Sequence, residues 1–244
     1  MKCSPLLQCR IENVLSSFSE DQTSNYASVA FLSDRVKPVL QDGPQCGLVA
    51  LRMAAEMLGL ESAPTVSEIF DLAHGKGYSN HGEMFSAYWV AHLAKEIYNC
   101  SAEVYQSLPD ISDLVELLKS PDSALLMPYD CDKNFEPTKL NGHSAHWAIL
   151  VGFLAIFKSS QEESGQFGWL SAAEAVPSGL EAVYLLALHG KSRHPGVWQF
   201  EKLKESNENL VELGEKRESD SCQYVVPERG LSDLCGKLLV LTKN

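Results

Sequence analysis

The sequence predicts an α+β protein, and three observations carry that prediction. Apolar residues recur at helical spacing through most of the first half. From residue 124 onward they gather into short runs bounded by Gly, Pro or charge. The helical block precedes the strand block, whereas a parallel α/β sheet would interleave the two.

The elements follow in order. Leu7, Ile11, Val14, Leu15 and Phe18 share one helical face, which predicts a short amphipathic helix over residues 6–18. Ser19 to Ser28 is polar and predicts a linker or loop. Residues 1–35 are therefore expected as an N-terminal extension and residues 36–244 as the main domain. Val36 to Pro44 carries two prolines and Gly43, which bar a helix before Cys46. From Cys46 strong helix formers take over, with Leu48, Leu51, Ala55 and Leu58 on one face and Gly59 as a stop. Further helices are expected near Val66–Ala73, Glu83–Tyr98 and Ile111–Leu118, with Ser67 and Asp110 as N-caps of the first and last. Strands are expected at Ala124–Met127, Trp147–Phe157, Ala182–Leu188, Gln223–Val226 and Leu238–Leu241. The Ser-, Glu- and Gly-rich stretch Ser159 to Gly179 reads as a long loop.

Composition narrows the function. The 244 residues are 45% hydrophobic and 21% charged, which excludes disordered and fibrous classes. A net charge of −12 repels phosphate backbones and anionic lipid heads, arguing against nucleic-acid and membrane partners. The longest apolar run, Ala148 to Phe157, is too short to span a bilayer. Seven cysteines at irregular spacings, without Cys-x-x-Cys, fit reduced thiols of a cytoplasmic protein better than a disulfide framework or a zinc site. Nothing calls for a metal or organic cofactor.

Two segments carry chemistry. Gln41-Asp42-Gly43-Pro44-Gln45-Cys46-Gly47-Leu48 sets a thiol at the first turn of an apolar-faced helix. The N–H groups and positive dipole end there favour a thiolate and can receive an oxyanion, with Gln41 or Gln45 as an added amide donor. The bland alternative is a small cysteine closing a core helix. Gly142-His143-Ser144-Ala145-His146-Trp147 then places His146 at the opening of a hydrophobic strand, a rigid mount for a general base. Here the alternative is a strand-edge histidine bonded to a carbonyl. A metal pair of His143 and His146 is disfavoured, because a strand points residues three apart to opposite faces.

Together these segments resemble the papain-like cysteine peptidases, in particular the branch that processes bacteriocins. Residues 43–54 and 142–150, with Tyr184 to Ser192, resemble the actin maturation protease family more narrowly. The resemblance implies a papain-like α+β fold in which a helical half carries the nucleophile and an antiparallel sheet the histidine. It implies a cysteine aminopeptidase that removes the N-acetylated first residue, acetyl-Met or acetyl-Cys, of actin. Cys46 would be the nucleophile, His146 the base and Gln41 the oxyanion donor, with no cofactor. The alternatives are a peptidase or isopeptidase with another substrate, or a non-catalytic binding module on the same fold.

Three departures from the family pattern stand out. Gln41 lies one residue closer to the cysteine than is usual, which keeps Gln45 in play. The strand Ala182 to Leu188 ends in His189-Gly190-Lys191-Ser192 without the usual Asn or Asp, leaving the residue that orients His146 unassigned and His189 a weak candidate. Residues 1–35 hold one proline, Pro5, so polyproline recruitment of profilin is not supported, although actin could arrive already bound to profilin. Actin N-termini are acidic after the first residue. Lys133, Lys139, Lys191, Arg193 and His194 are candidates for a steering patch, with Trp147 and Met127 as candidate pocket walls.

Overall fold

The computed structural model describes residues 4–20, 25–60, 63–214 and 224–244. The elements are α1 (Pro5–Glu20), β1 (Tyr26–Leu32), α2 (Cys46–Met57), α3 (Val66–Gly75), α4 (Ala87–Tyr98), β2 (Ser101–Tyr105), α5 (Ile111–Lys119), β3 (Ser123–Asp130), β4 (Ala145–Lys158), β5 (Phe167–Trp169), β6 (Leu180–Leu188), β7 (Gly196–Gln199), α6 (Phe200–Glu208) and β8 (Leu238–Thr242). The α+β class is the one expected: a mainly helical half packs on a mostly antiparallel sheet.

β4 is the spine. Its first twelve residues are buried, as an apolar run covered on both faces requires. One edge pairs first with β3, from Asp130 opposite Ala145 to Leu125 opposite Leu150, and then with β1, from Leu32 opposite Gly152 to Tyr26 opposite Lys158. The other edge pairs with β6, which carries β7, while β8 and β2 extend the sheet beyond β3. A register shift against β6 between Leu150 and Gly152 changes which residues face the helices. Trp147, Ile149 and Val151 face α1–α4 before it, and Leu154 after it. The opposite face, with Leu150, Phe153 and Ala155, is covered by α5 and α6 through Leu114, Leu118 and Leu203.

Gly152 sits where β3 hands over to β1. A Cβ there would land on the Phe31 carbonyl oxygen and 3.0 Å from the Leu32 Cα, both backbone atoms that cannot swing aside. Gly152→Ala is expected to cost about 1–3 kcal/mol, the usual range for overpacking. Urea unfolding should show it as a lower midpoint at unchanged slope.

Several expectations need correction. The segment before residue 36 is not a separate extension: Leu7 and Ile11 of α1 lie in the main core, and β1 is an integral strand. The polar stretch Ser19–Ser28 thus gives Tyr26–Ser28 to the sheet. α3 is capped by Thr65 rather than Ser67, through a capping box in which Thr65 Oγ1 accepts from the Glu68 N–H and Glu68 accepts from the Thr65 N–H. Asp110 does occupy the N-cap position of α5, with no side-chain bond to the helix. Residues 83–86 are not helical, because the Glu83 carboxylate takes the N–H groups of Asn80 and His81 and ties them into a loop. For the strand expected at Gln223–Val226, Gln223 lies outside the described residues and 224–226 are irregular. Ser159–Gly179 is loop apart from β5, which runs parallel to β1.

Candidate active site

Residues 36–45 approach α2 without helical structure, turning at Gly43 with φ +63. Cys46 opens α2, and no side chain caps that end. The first-turn N–H groups of a helix have no intrahelical acceptor, so this end favours negative charge. Gly47 is needed beside the thiol. A Cβ there would meet Met84 Cβ at 2.8 Å and Trp147 Cδ1 at 3.1 Å, so its absence lets loop and sheet close on the helix start. The Trp147 indole N–H donates to the Met84 carbonyl at 2.8 Å and locks that contact.

His146, the second residue of β4, is 7% exposed and hydrogen-bonds the Cys46 side chain. Its Nε2 lies 2.7 Å from the His189 main-chain oxygen. A carbonyl only accepts, so Nε2 carries the proton and Nδ1 of the neutral ring is left to face the thiol. The Tyr129 ring meets the imidazole edge-on, with centroids 5.7 Å apart, and Phe135 covers it at 5.4 Å. Burial opposes protonation of His146. The charge of Cys46, the hydrogen bond to it and the His189 carbonyl outweigh that, despite Lys191, and hold the imidazole above its ordinary value. The arrangement therefore favours a thiolate–imidazolium pair.

The two side chains open into a cleft of about 160 Å³. Gln41 lines it and Gln45 does not: the Gln45 side chain lies over Gly82. Gln41 Nε2 donates to the Gly43 carbonyl at 2.7 Å, while its own N–H donates to the Gly190 carbonyl at 2.8 Å. Of the candidate basic residues only Lys191 lines the cleft; Lys139 pairs with Glu205 at 2.8 Å, and His194 contacts Ser4 Oγ at 3.1 Å. Trp147 is a wall, as expected, but Met127 is not: it faces the opposite side of the sheet with Leu125 and Tyr129. Met84, Phe85, Phe135, Tyr224 and Leu234 add apolar lining that was not expected from the sequence, beside Pro44, Ala145 and the buried Glu83. His143 lies outside the cleft, its Nε2 3.1 Å from Glu212.

The His189 ring is not the acceptor for His146. It stacks on Phe135 at 5.4 Å and 14°, and its Nδ1 is buried without a hydrogen-bond partner among the described residues. Burial, followed by the charges of His146 and Arg10, pushes it down to about 4, so the ring is neutral. A second residue without a sequence signal is Asp130. Fully buried at the end of β3, its carboxylate accepts from the N–H groups of Leu140, Gly142 and Ser144 at 2.7–2.8 Å, and so shapes the loop that delivers His146.

A helix-borne thiol facing a strand-borne imidazole, across a cleft between a helical half and an antiparallel sheet, is the papain-like arrangement of the cysteine peptidases. Residues 36–154 match the family model described as actin maturation protease-like, C-terminal domain. The chain is 36% identical over 214 residues to the actin maturation protease of Xenopus tropicalis, covering 84% of this chain and 71% of that protein. It is 35% identical over 244 residues to that of Danio rerio, covering 94% and 78%. Among solved structures it is similar to one described as C39-like, from Bacillus anthracis, with 11% identity, TM-score 0.49, and 87% and 98% of the two chains covered. The chain belongs to the actin maturation protease family, a family of peptidases.

Proposed function

We propose that this protein is a cysteine aminopeptidase that removes the N-acetylated first residue of actin. The observation that carries the proposal is the Cys46–His146 pair, whose base nitrogen is freed by the bond from Nε2 to the His189 carbonyl. His146 Nδ1 holds the proton drawn from Cys46, and the thiolate sulfur attacks the carbonyl of the acetylated residue. The developing oxyanion is met by the N-terminal end of α2 and the Gln41 amide. His146 then returns the proton to the departing amine of residue 2, leaving an acetyl-aminoacyl thioester on Cys46. Water, deprotonated by the same imidazole, releases the N-acetyl amino acid and restores the thiol.

The lining supports this substrate chemistry. An acetylated terminus carries no ammonium, so the pocket needs apolar walls more than a free carboxylate; Met84, Phe85 and Trp147 supply the walls, and the Glu83 carboxylate in the lining is taken up by the N–H groups of Asn80, His81 and Val225. Lys191 places a cation at the cleft of a chain whose net charge is −12, which suits acidic residues beyond the scissile bond. Actin delivered already bound to profilin is an acceptable form of the substrate. The test is the intact mass of N-acetylated actin after incubation with the protein. Loss of one acetylated residue is expected, and an unchanged mass under conditions where Cys46 alkylates rapidly would refute the actin assignment.

A further inference from the structure

Two consecutive carbonyls just past β6 reach two different parts of the site. The His189 oxygen accepts from His146 Nε2 at 2.7 Å, and the Gly190 oxygen accepts from the Gln41 N–H at 2.8 Å. One turn therefore holds both the imidazole on β4 and the loop that carries Gln41 into the start of α2. Gly190 makes that turn with φ +74, a conformation that costs a residue with a Cβ. The space is also tight for a side chain: a Cβ would meet Gln41 Oε1 at 3.1 Å and Val49 Cγ1 at 3.3 Å, so both would have to give by a few tenths of an ångström. The His189 ring lies flat on Phe135, 5.9 Å from the Trp198 ring and 6.2 Å from the imidazole, and it is the His189 carbonyl that takes the His146 hydrogen bond.

We propose that the main chain of His189-Gly190 takes the place of a side-chain third member, its two carbonyls orienting His146 and seating Gln41, with Gly190 as the positioning residue. The inference rests on the reading of Cys46, His146 and Gln41 given above. It predicts that residue type at 189 matters for packing, whereas backbone geometry at 190 matters for the chemistry.

The experiment uses full-length protein labelled with ¹⁵N-histidine in a Cys46→Ala background at alkaline pH, where His146 is neutral and its tautomer can be read by NMR. The Nε2–H form is expected. It should persist in His189→Phe, which retains the carbonyl, and give way to mixed tautomers in Gly190→Ala. In protein with Cys46 intact, Gly190→Ala should lower kcat by about 10- to 100-fold, less than the roughly 10²–10⁴-fold of a lost general base because the base is misoriented and not removed, with a smaller change in KM. Its alkaline pH limb should also move down, because a bond favouring the imidazolium is lost. An Nδ1–H tautomer in the Cys46→Ala protein would overturn the proposal. So would loss of the Nε2–H form in a folded His189→Phe, or wild-type tautomer and kcat in Gly190→Ala. Should Gly190→Ala not fold, the first two results still decide. Cleavage surviving Cys46→Ala would instead sink the reading of Cys46 as the nucleophile, and would leave the tautomer result standing.

Discussion

Cys46→Ala is expected to lower kcat/KM for release of the acetylated residue by at least about 10⁴-fold, because losing the nucleophile removes the covalent route altogether. The fold should survive. Cys46 is only half-buried, and the close packing at this helix start runs through Gly47, Met84 and Trp147, which are untouched. His146→Ala should cost nearly as much, and the double variant little more than either single one, since the two groups act as a unit. Alkylation gives an independent reading. In the intact protein Cys46 should react with iodoacetamide well below the pH at which an ordinary thiol does, and His146→Ala should abolish that advantage. The alkaline limb of kcat/KM should lie above about 6.5, the ordinary histidine value, because His146 is held upward. Slow alkylation of Cys46, no faster than that of Cys9 on the exposed side of α1, would contradict the ion-pair reading.

The parts of this site that could be read in advance are those where residue type and local pattern coincide. Cys46 follows a Pro- and Gly-broken approach and precedes an apolar helix; His146 precedes the most apolar run in the chain. Both signals are local, and both residues meet in the cleft. Gln41 could not be separated from Gln45 by spacing, because only the fold shows that Gly82 lies under Gln45 while Gln41 lines the cleft with Cys46. The orienting group left no residue-type signal at all, since a main-chain carbonyl is present at every position. β1 was hidden for a different reason. Tyr26-Ala-Ser-Val-Ala-Phe-Leu follows a polar stretch, and its pairing partner, the second half of β4, lies more than a hundred residues away. Residues 83–86 read as helix because propensity cannot register that a buried carboxylate captures the preceding N–H groups.

Asp130→Ala is expected to be the most destabilising single change outside the apolar core, at about 3–5 kcal/mol, because three N–H groups lose one charged acceptor and unmet groups cost about 1–3 kcal/mol each when buried. Those of Leu140 and Ser144 are partly accessible, so water relieves some of that cost; that of Gly142 is buried. Asp130→Asn should recover little, since its amide can accept through one oxygen only and turns an N–H toward another. The strand end itself should hold, because Ser206 Oγ both accepts from the Asp130 N–H at 2.9 Å and donates to its carbonyl at 2.7 Å. The damage would therefore fall on residues 140–144, one residue before the pair Ala145 and His146. Since that loop fixes where β4 begins, the loss should appear in kcat more than in KM, and a urea midpoint near wild type with unchanged kcat would show that the loop is held by something else. An effect of the expected size would mean that the buried carboxylate, rather than any residue touching substrate, sets how accurately the base is delivered to the thiol.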